Sequence, residues 1–120
     1  MNANFYNTFM VELIWEGTFY PSGNQNEYSY LIVPELAYYH ECVIVLYCDN
    51  KKIQKRMTRV VSDDNYLFYV NNDYNISGMI GVDWSSNNSI AINWMHYKGW
   101  NPNGSVLINK VFGVNKHRVN

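Results

Sequence analysis

Short segments in which apolar and polar residues alternate recur along the chain, separated by runs of Asn, Ser, Asp and Gly. In the first of them Val11, Leu13 and Trp15 fall on one side. Alternation with a period of two is typical of a β-strand that buries one face. The pattern predicts eight strands, over residues 8–16, 27–33, 42–48, 53–61, 66–70, 76–84, 90–95 and 105–114.

The third segment departs from this alternation. Residues 42–48 read CVIVLYC and are apolar at every position. This composition predicts a central strand that is covered on both faces. Cys42 and Cys48 lie six residues apart on that strand, about 20 Å in extended backbone, which is beyond disulfide reach. We therefore expect two buried thiols without a disulfide, in a protein made in a reducing cytoplasm.

The next segment, 53–61, and the turn before it are rich in cations. Five of the nine basic residues of the chain fall within nine positions, and they are Lys51, Lys52, Lys55, Arg56 and Arg59. Charge of this kind is typical of an edge strand that is protected against pairing with another sheet. Binding of an anionic partner is the alternative interpretation, and the sequence leaves both open.

Length and composition predict an all-β, single-domain β-sandwich, jelly-roll-like and with about eight strands. The 120 residues suit one domain. Eleven Tyr, five Phe and four Trp favour pleated sheet. We place the sandwich at residues 8–116, between an N-terminal arm at 1–7 and a C-terminal tail at 117–120.

The net charge and the lack of known motifs argue against several classes of function. A net charge of −1 gives no general attraction for nucleic acid, and no stretch has the length of a membrane span. The first residues lack the features of a signal peptide. His40, His96 and His117 share no metal-ligand spacing, and no catalytic motif is present. We expect a protein that is not an enzyme and has no metal, no cofactor, no nucleic-acid partner and no membrane insertion.

Several aromatic residues fall in predicted loops or at strand ends, among Asn, Ser and Gly. Exposed rings of this kind stack on sugar faces while carboxamides bind hydroxyl groups. The candidate glycan-binding residues are Tyr97, Trp100, Asn101, Asn103, Tyr20 and Tyr38. Packing of the same rings in the core or between subunits explains their presence almost as well.

Three motifs resemble those of small β-domains near the distal ends of bacteriophage tail fibres and related tail appendages. Residues 13–17, LIWEG, resemble an "LW-x-G" opening, and residues 39–47 resemble a central "nYk-x-hhhhY" strand. The pair Gly99 and Trp100, followed by residues 108–114, resembles a "GW…I-x-K-I-Y-G-I-K" ending. Phe112 and Val114 replace the usual Tyr and Ile, and Asn115 precedes Lys116. The resemblance spans residues 13–116.

This resemblance implies a β-sandwich in the tail of a virion that helps to recognise a host cell surface. It implies a homotrimer, contacts with other tail proteins, and release from the host cytoplasm without a signal peptide. Together with the candidate aromatic and Asn residues, it predicts a host cell-surface glycan as the ligand. The family supplies no catalytic motif, and its receptor site lies in variable loops. Two alternatives remain: a structural trimerisation or attachment module of a virion, and a stand-alone soluble lectin-like β-sandwich.

Overall fold

Two four-stranded antiparallel sheets pack against each other. The computed structural model describes residues 11–24, 26–48, 50–58, 65–72, 75–96 and 106–116. The strands are β1 (Val11–Phe19), β2 (Ser29–Ile32), β3 (Tyr39–Cys48), β4 (Lys51–Thr58), β5 (Asn65–Asn72), β6 (Asn75–Ser86), β7 (Ser89–His96) and β8 (Val106–Lys116). Sheet A has the order β1-β8-β3-β4, and sheet B has the order β2-β7-β6-β5. The predicted all-β sandwich is confirmed, while its jelly-roll character stays a prediction.

The core lies between the two sheets and draws on both. Sheet A contributes the even-numbered positions of β3, such as Ile44 and Leu46, and sheet B contributes Ile80, Val82 and Ile92, all with no exposed surface. Side chains at every second position of a strand share one face. The alternation in the sequence therefore becomes one apolar layer between the sheets.

Tight hairpins join several neighbouring strands. Cys48 pairs with Lys51 across the β3–β4 turn, and Ser86 pairs with Ser89 across the β6–β7 turn. Both turns have two residues, which is shorter than the sequence pattern predicts. Asn50 has a φ of 66°, a left-handed conformation that Asn adopts more readily than most residues and that two-residue hairpins need.

Strand β3 occupies the centre of sheet A, between β8 and β4, as predicted. Cys42 and Cys48 are buried and form no disulfide, which confirms that prediction. The cation-rich strand β4 lies at the edge of sheet A, so its edge position is also confirmed.

Strand β1 departs from its simple alternation. Its pairing with β8 shifts register between Leu13 and Trp15, where a bulge inserts one residue. An inserted residue reverses which face the following side chains occupy. Val11 and Leu13 are therefore 56% and 49% exposed, whereas Trp15 packs against the core. The prediction that all three lie on one buried face is therefore wrong for Val11 and Leu13 and confirmed for Trp15.

A five-residue 3₁₀ helix, Pro34–Tyr38, connects β2 to β3. Pro34 begins the helix, where its missing N–H costs no hydrogen bond, and Leu36 is fully buried. The predicted arm at 1–7 and tail at 117–120 lie outside the described residues.

Candidate functional site

One end of the sandwich, here called the loop end, is formed by the connection between β1 and β2 at residues 20–28. Glu27 is the centre of its hydrogen bonds. Its Oε1 accepts from the Ser22 hydroxyl at 2.9 Å, and its Oε2 accepts from the Asn24 side-chain amide at 3.0 Å. The Ser22 hydroxyl also accepts from the backbone N–H of Asn24 at 3.1 Å. These bonds close the loop on itself.

The loop is also tied to sheet B through Trp94 on β7. The indole Nε1–H of Trp94 donates to the Ser22 carbonyl at 2.6 Å, and the Trp94 carbonyl accepts from the N–H of Asn26 at 2.8 Å. The Ser22 N–H donates to the Ser29 hydroxyl at 2.7 Å. Trp94 is only 5% exposed, so the loop is fixed to a buried side chain.

Hydrogen bonding also sets the charge state of the loop. The side-chain amide of Asn24 and the hydroxyl of Ser22 lower the pKa of the Glu27 carboxyl from its ordinary value, because both donate to its charged form. Glu27 therefore stays ionised to a lower pH than an isolated glutamate. The loop carries a fixed negative charge as well as carboxamide and hydroxyl groups.

Exposed aromatic rings flank this polar loop. Tyr20, which follows β1, is 53% exposed, and Tyr28, which precedes β2, is 48% exposed. Tyr30 on β2 is 56% exposed. Two positions of extended chain separate Tyr28 from Tyr30, so both lie on one side, about 7 Å apart along the strand. Aromatic rings can stack on the apolar face of a sugar while neighbouring hydrogen-bonding groups bind its hydroxyls.

The opposite end, here called the helical end, carries the 3₁₀ helix, Tyr38 and Tyr39. Tyr38 is 48% exposed, and the Nζ of Lys116 lies 5.8 Å from the centre of its ring. Tyr39 is 3% exposed and packs on Gly113, where a Cβ would lie 2.5 Å from a ring carbon. Burial, with a hydrogen bond and negative charge from Glu12, raises the pKa of Tyr39 to about 12.

The structure does not bring Tyr20 and Tyr38 together. Tyr20 follows Phe19, which pairs with Ile108 near the start of β8, while Tyr39 pairs with Lys116 at the end of β8. The two tyrosines are thus at opposite ends of sheet A. Tyr97, Trp100, Asn101 and Asn103 lie outside the described residues.

Tyr28 and Tyr30 are surface rings that the sequence analysis did not select. Both fall in the predicted strand 27–33, and a strand with aromatic residues is ordinarily assigned to the core. The available signal was alternation: Leu31 and Val33 form the buried face, and Tyr28 and Tyr30 fall on the other.

The described residues contain no group of three or more His, Cys, Asp or Glu side chains placed to hold a metal ion. Among the same residues, no helix has the length and apolarity to cross a membrane. Comparison of the chain with protein-family models, with curated proteins and with solved structures finds no match.

Proposed function

We propose that this chain is a non-enzymatic domain of a bacteriophage tail fibre or tail tip that binds a host cell-surface glycan at the loop end. Tyr20 and the polar groups of the 20–28 loop belong to the proposed site. On the basis of the sequence, the proposed site also includes Tyr97, Trp100, Asn101 and Asn103. The tail-fibre assignment rests on the three sequence motifs.

One observation carries the binding proposal: exposed tyrosines flank a loop that is already fixed by hydrogen bonds. A loop that is ordered before binding loses little conformational entropy when a ligand arrives. Tyr20 and Tyr28 present ring faces, while the carboxamides of Asn24 and Asn26 are exposed at the surface. Tyrosine supplies a large contact area with few rotatable bonds, which suits recognition of a ligand with both apolar and polar groups.

Binding of the purified chain to immobilised bacterial surface polysaccharides, both lipopolysaccharide O-chains and teichoic acids, tests the proposal. We expect the wild-type chain to bind at least one of them and Tyr20→Ala to lower the affinity about tenfold, as loss of an aromatic contact at a binding site does. Trp100→Ala tests the part of the proposal that comes from the sequence.

Tyr38→Ala is the matched control, since Tyr38 has a similar exposure but lies at the helical end. Its affinity should equal that of the wild-type chain. Binding of no polysaccharide by the wild-type chain contradicts the proposed function. Equal affinities of Tyr20→Ala and wild type would remove the loop end as the site.

A further inference from the structure

Strand β2 and the residue before it carry a row of large side chains on the outer face of sheet B, which points away from sheet A. Tyr28, Tyr30 and Ile32 are each about half exposed. Leu31 and Val33, at the alternate positions, belong to the core. Alternate residues of a strand share one face, so the three side chains form one row about 13 Å long. This row, here called the β2 row, is longer than a single sugar ring.

The residues beside the β2 row are small. On β7, Ala91 pairs with Tyr30 and Ser89 pairs with Ile32. Both face outward, since Ile90 between them belongs to the core. Both are also buried, so the larger side chains around them form the surface here. A ligand on this face of sheet B therefore meets the side chains of the β2 row.

The same residues present backbone hydrogen-bonding groups at an edge of sheet B. Within the described residues, β2 is the last strand on its side of the sheet. The N–H of Val33 donates to the carbonyl of Asn88, in the β6–β7 turn, at 2.7 Å. Hydrogen-bonded pairs alternate along antiparallel strands, so Tyr30 and Ile32 direct their N–H and C=O groups away from β7. The β2 row therefore combines apolar surface with donors and acceptors that sugar hydroxyls can bind.

Charge is distributed unequally between the two sheets. The sequences of β2, β5, β6 and β7 contain no Lys or Arg, and neither does the loop at 20–28. The basic residues among those that the structure describes all lie on β4 and β8 of sheet A. The described part of sheet B and the loop therefore has no cation to pair with an acidic ligand.

The acidic residues of this region lie near the β2 row. Glu27 directly precedes Tyr28 and keeps its negative charge through its hydrogen bonds with Ser22 and Asn24. Asp83 on β6 pairs with Ala91, which places it two strands from Tyr30, about 10 Å away. Negative charge at both positions repels a polyanion.

We propose that the β2 row extends the loop-end site, and that the ligand is an uncharged polysaccharide chain that lies along β2 with neighbouring sugars against Tyr28 and Tyr30. This inference rests on the proposed function, because Tyr28 both flanks the loop at 20–28 and begins the row. Phosphate or carboxylate groups of an acidic glycan would lose water here without gaining a cation, which is costly. An uncharged chain needs only ring contacts and hydrogen bonds to its hydroxyls.

Binding of the whole chain to immobilised O-chains freed of lipid A tests the charge of the ligand. The panel pairs O-chains that have uncharged repeating units with O-chains that contain uronic acids, and it includes teichoic acids as phosphate-bearing probes. We expect binding to at least one uncharged O-chain and to none of the acidic polymers. The affinity should change less than about twofold between low salt and about 0.5 M NaCl, because no ion pair contributes.

Substitutions in the β2 row test its position, with the bound O-chain as the probe. Tyr30→Ala should lower the affinity about tenfold, whereas Tyr30→Phe keeps the ring and should bind nearly like the wild type. Ile32→Ala should lower the affinity less, and it repeats the test if urea unfolding shows that Tyr30→Ala fails to fold. Leu13→Ala is the matched control, since Leu13 is a similarly exposed aliphatic residue on sheet A. Its affinity should equal that of the wild type.

The length of the ligand tests whether the chain lies along the strand. Fragments of the bound O-chain with several repeating units should bind the wild type more tightly than a fragment with one. Tyr30→Ala should remove most of this gain, because it interrupts the row after Tyr28. A gain that is unchanged in Tyr30→Ala contradicts a chain that lies along β2.

Binding of acidic polymers alone, with an affinity that falls steeply as salt rises, overturns the inference and points to the cations of β4. Equal affinities of Tyr30→Ala, Leu13→Ala and wild type overturn it as well. A change of sedimentation mass in Tyr30→Ala without a change of affinity would show that another copy covers the row. In each of these cases a lower affinity of Tyr20→Ala keeps the loop-end site, whereas a wild-type chain that binds no polysaccharide removes the proposed function itself.

Discussion

The two ends of the sandwich are held by different kinds of interaction. At the loop end, hydrogen bonds join Ser22, Asn24 and Glu27, and Trp94 connects the loop to sheet B. At the helical end, the buried ring of Tyr39 packs on Gly113. The first depends on an ionised carboxylate and the second on a neutral, buried phenol. We therefore expect the ends to respond differently to substitution and to opposite changes of pH.

Of the substitutions considered, Gly113→Ala should lower the free energy of unfolding most. The added Cβ would lie 2.5–2.6 Å from three ring carbons of Tyr39, so the buried ring must move. Overpacking of this kind costs about 3 kcal/mol. Gly17→Ala on β1 is the control, since its Cβ would lie 3.0 Å from Trp15 Cζ2 and should cost about 1 kcal/mol or less. Urea unfolding measures both, and equal costs would contradict the close packing at Tyr39.

Trp94→Phe tests the loop end. It removes the indole donor and leaves the Ser22 carbonyl without that partner. Loss of one partner of a partly buried hydrogen bond costs about 1–2 kcal/mol. Amide hydrogen exchange should rise most at residues 22–28. Trp15→Phe is the control, and in that variant exchange in the loop should stay as in the wild type.

Alkaline pH should act at the helical end. The pKa of Tyr39 is raised from 10 to about 12 by burial and Glu12. Its contribution to stability is therefore complete below pH 10 and is lost as the pH rises toward 12. Tyr39→Phe should lower stability at neutral pH by about 1 kcal/mol and remove part of the alkaline loss.

Denaturant unfolding across that pH range measures the effect of Tyr39. Tyr38→Phe serves as the control at an exposed neighbour. If Tyr39→Phe and wild type lose stability in parallel at high pH, the assignment to Tyr39 is wrong.

Acid should weaken the hydrogen bonds of the loop end, and this is the smallest of the expected effects. The pKa of Glu27 is lowered by hydrogen bonds from Asn24 and Ser22. A lowered pKa stabilises the fold above the ordinary glutamate value, and this contribution is lost as the pH falls through the lowered one. The protection of amides at residues 22–28, measured as the exchange rate relative to the intrinsic rate at the same pH, should fall in acid before that of the rest of the chain.

Glu27→Gln should already show that lower protection at neutral pH and no further loss of protection in acid. Glu35→Gln, an exposed carboxyl of the 3₁₀ helix, should behave like the wild type. If amide protection falls at both ends at the same acid pH, the two ends do not respond independently and the prediction is wrong.

Strand positions were largely predictable, because local alternation and turn residues are properties of the sequence alone. The central position of β3 and the edge position of β4 followed from their composition. The bulge in β1 was not predictable, since it exists only in the pairing with β8, and it moves Val11 and Leu13 to the surface. The candidate site was harder still: Tyr20 and Tyr38 look alike in sequence, yet the topology puts them at opposite ends.

The sequence by itself determined the β-class, the eight strands and the two buried thiols, because a period of two and long apolar segments act locally. Tertiary structure decided which surfaces those strands present. Tyr38 and Tyr39 are neighbours in the chain, yet only Tyr39 is buried, because β8 brings Gly113 beneath its ring. Likewise, strand order alone placed the carboxylates of β1 and the cations of β4 on opposite edges of one sheet. Contacts between distant segments, which no local pattern encodes, set both outcomes.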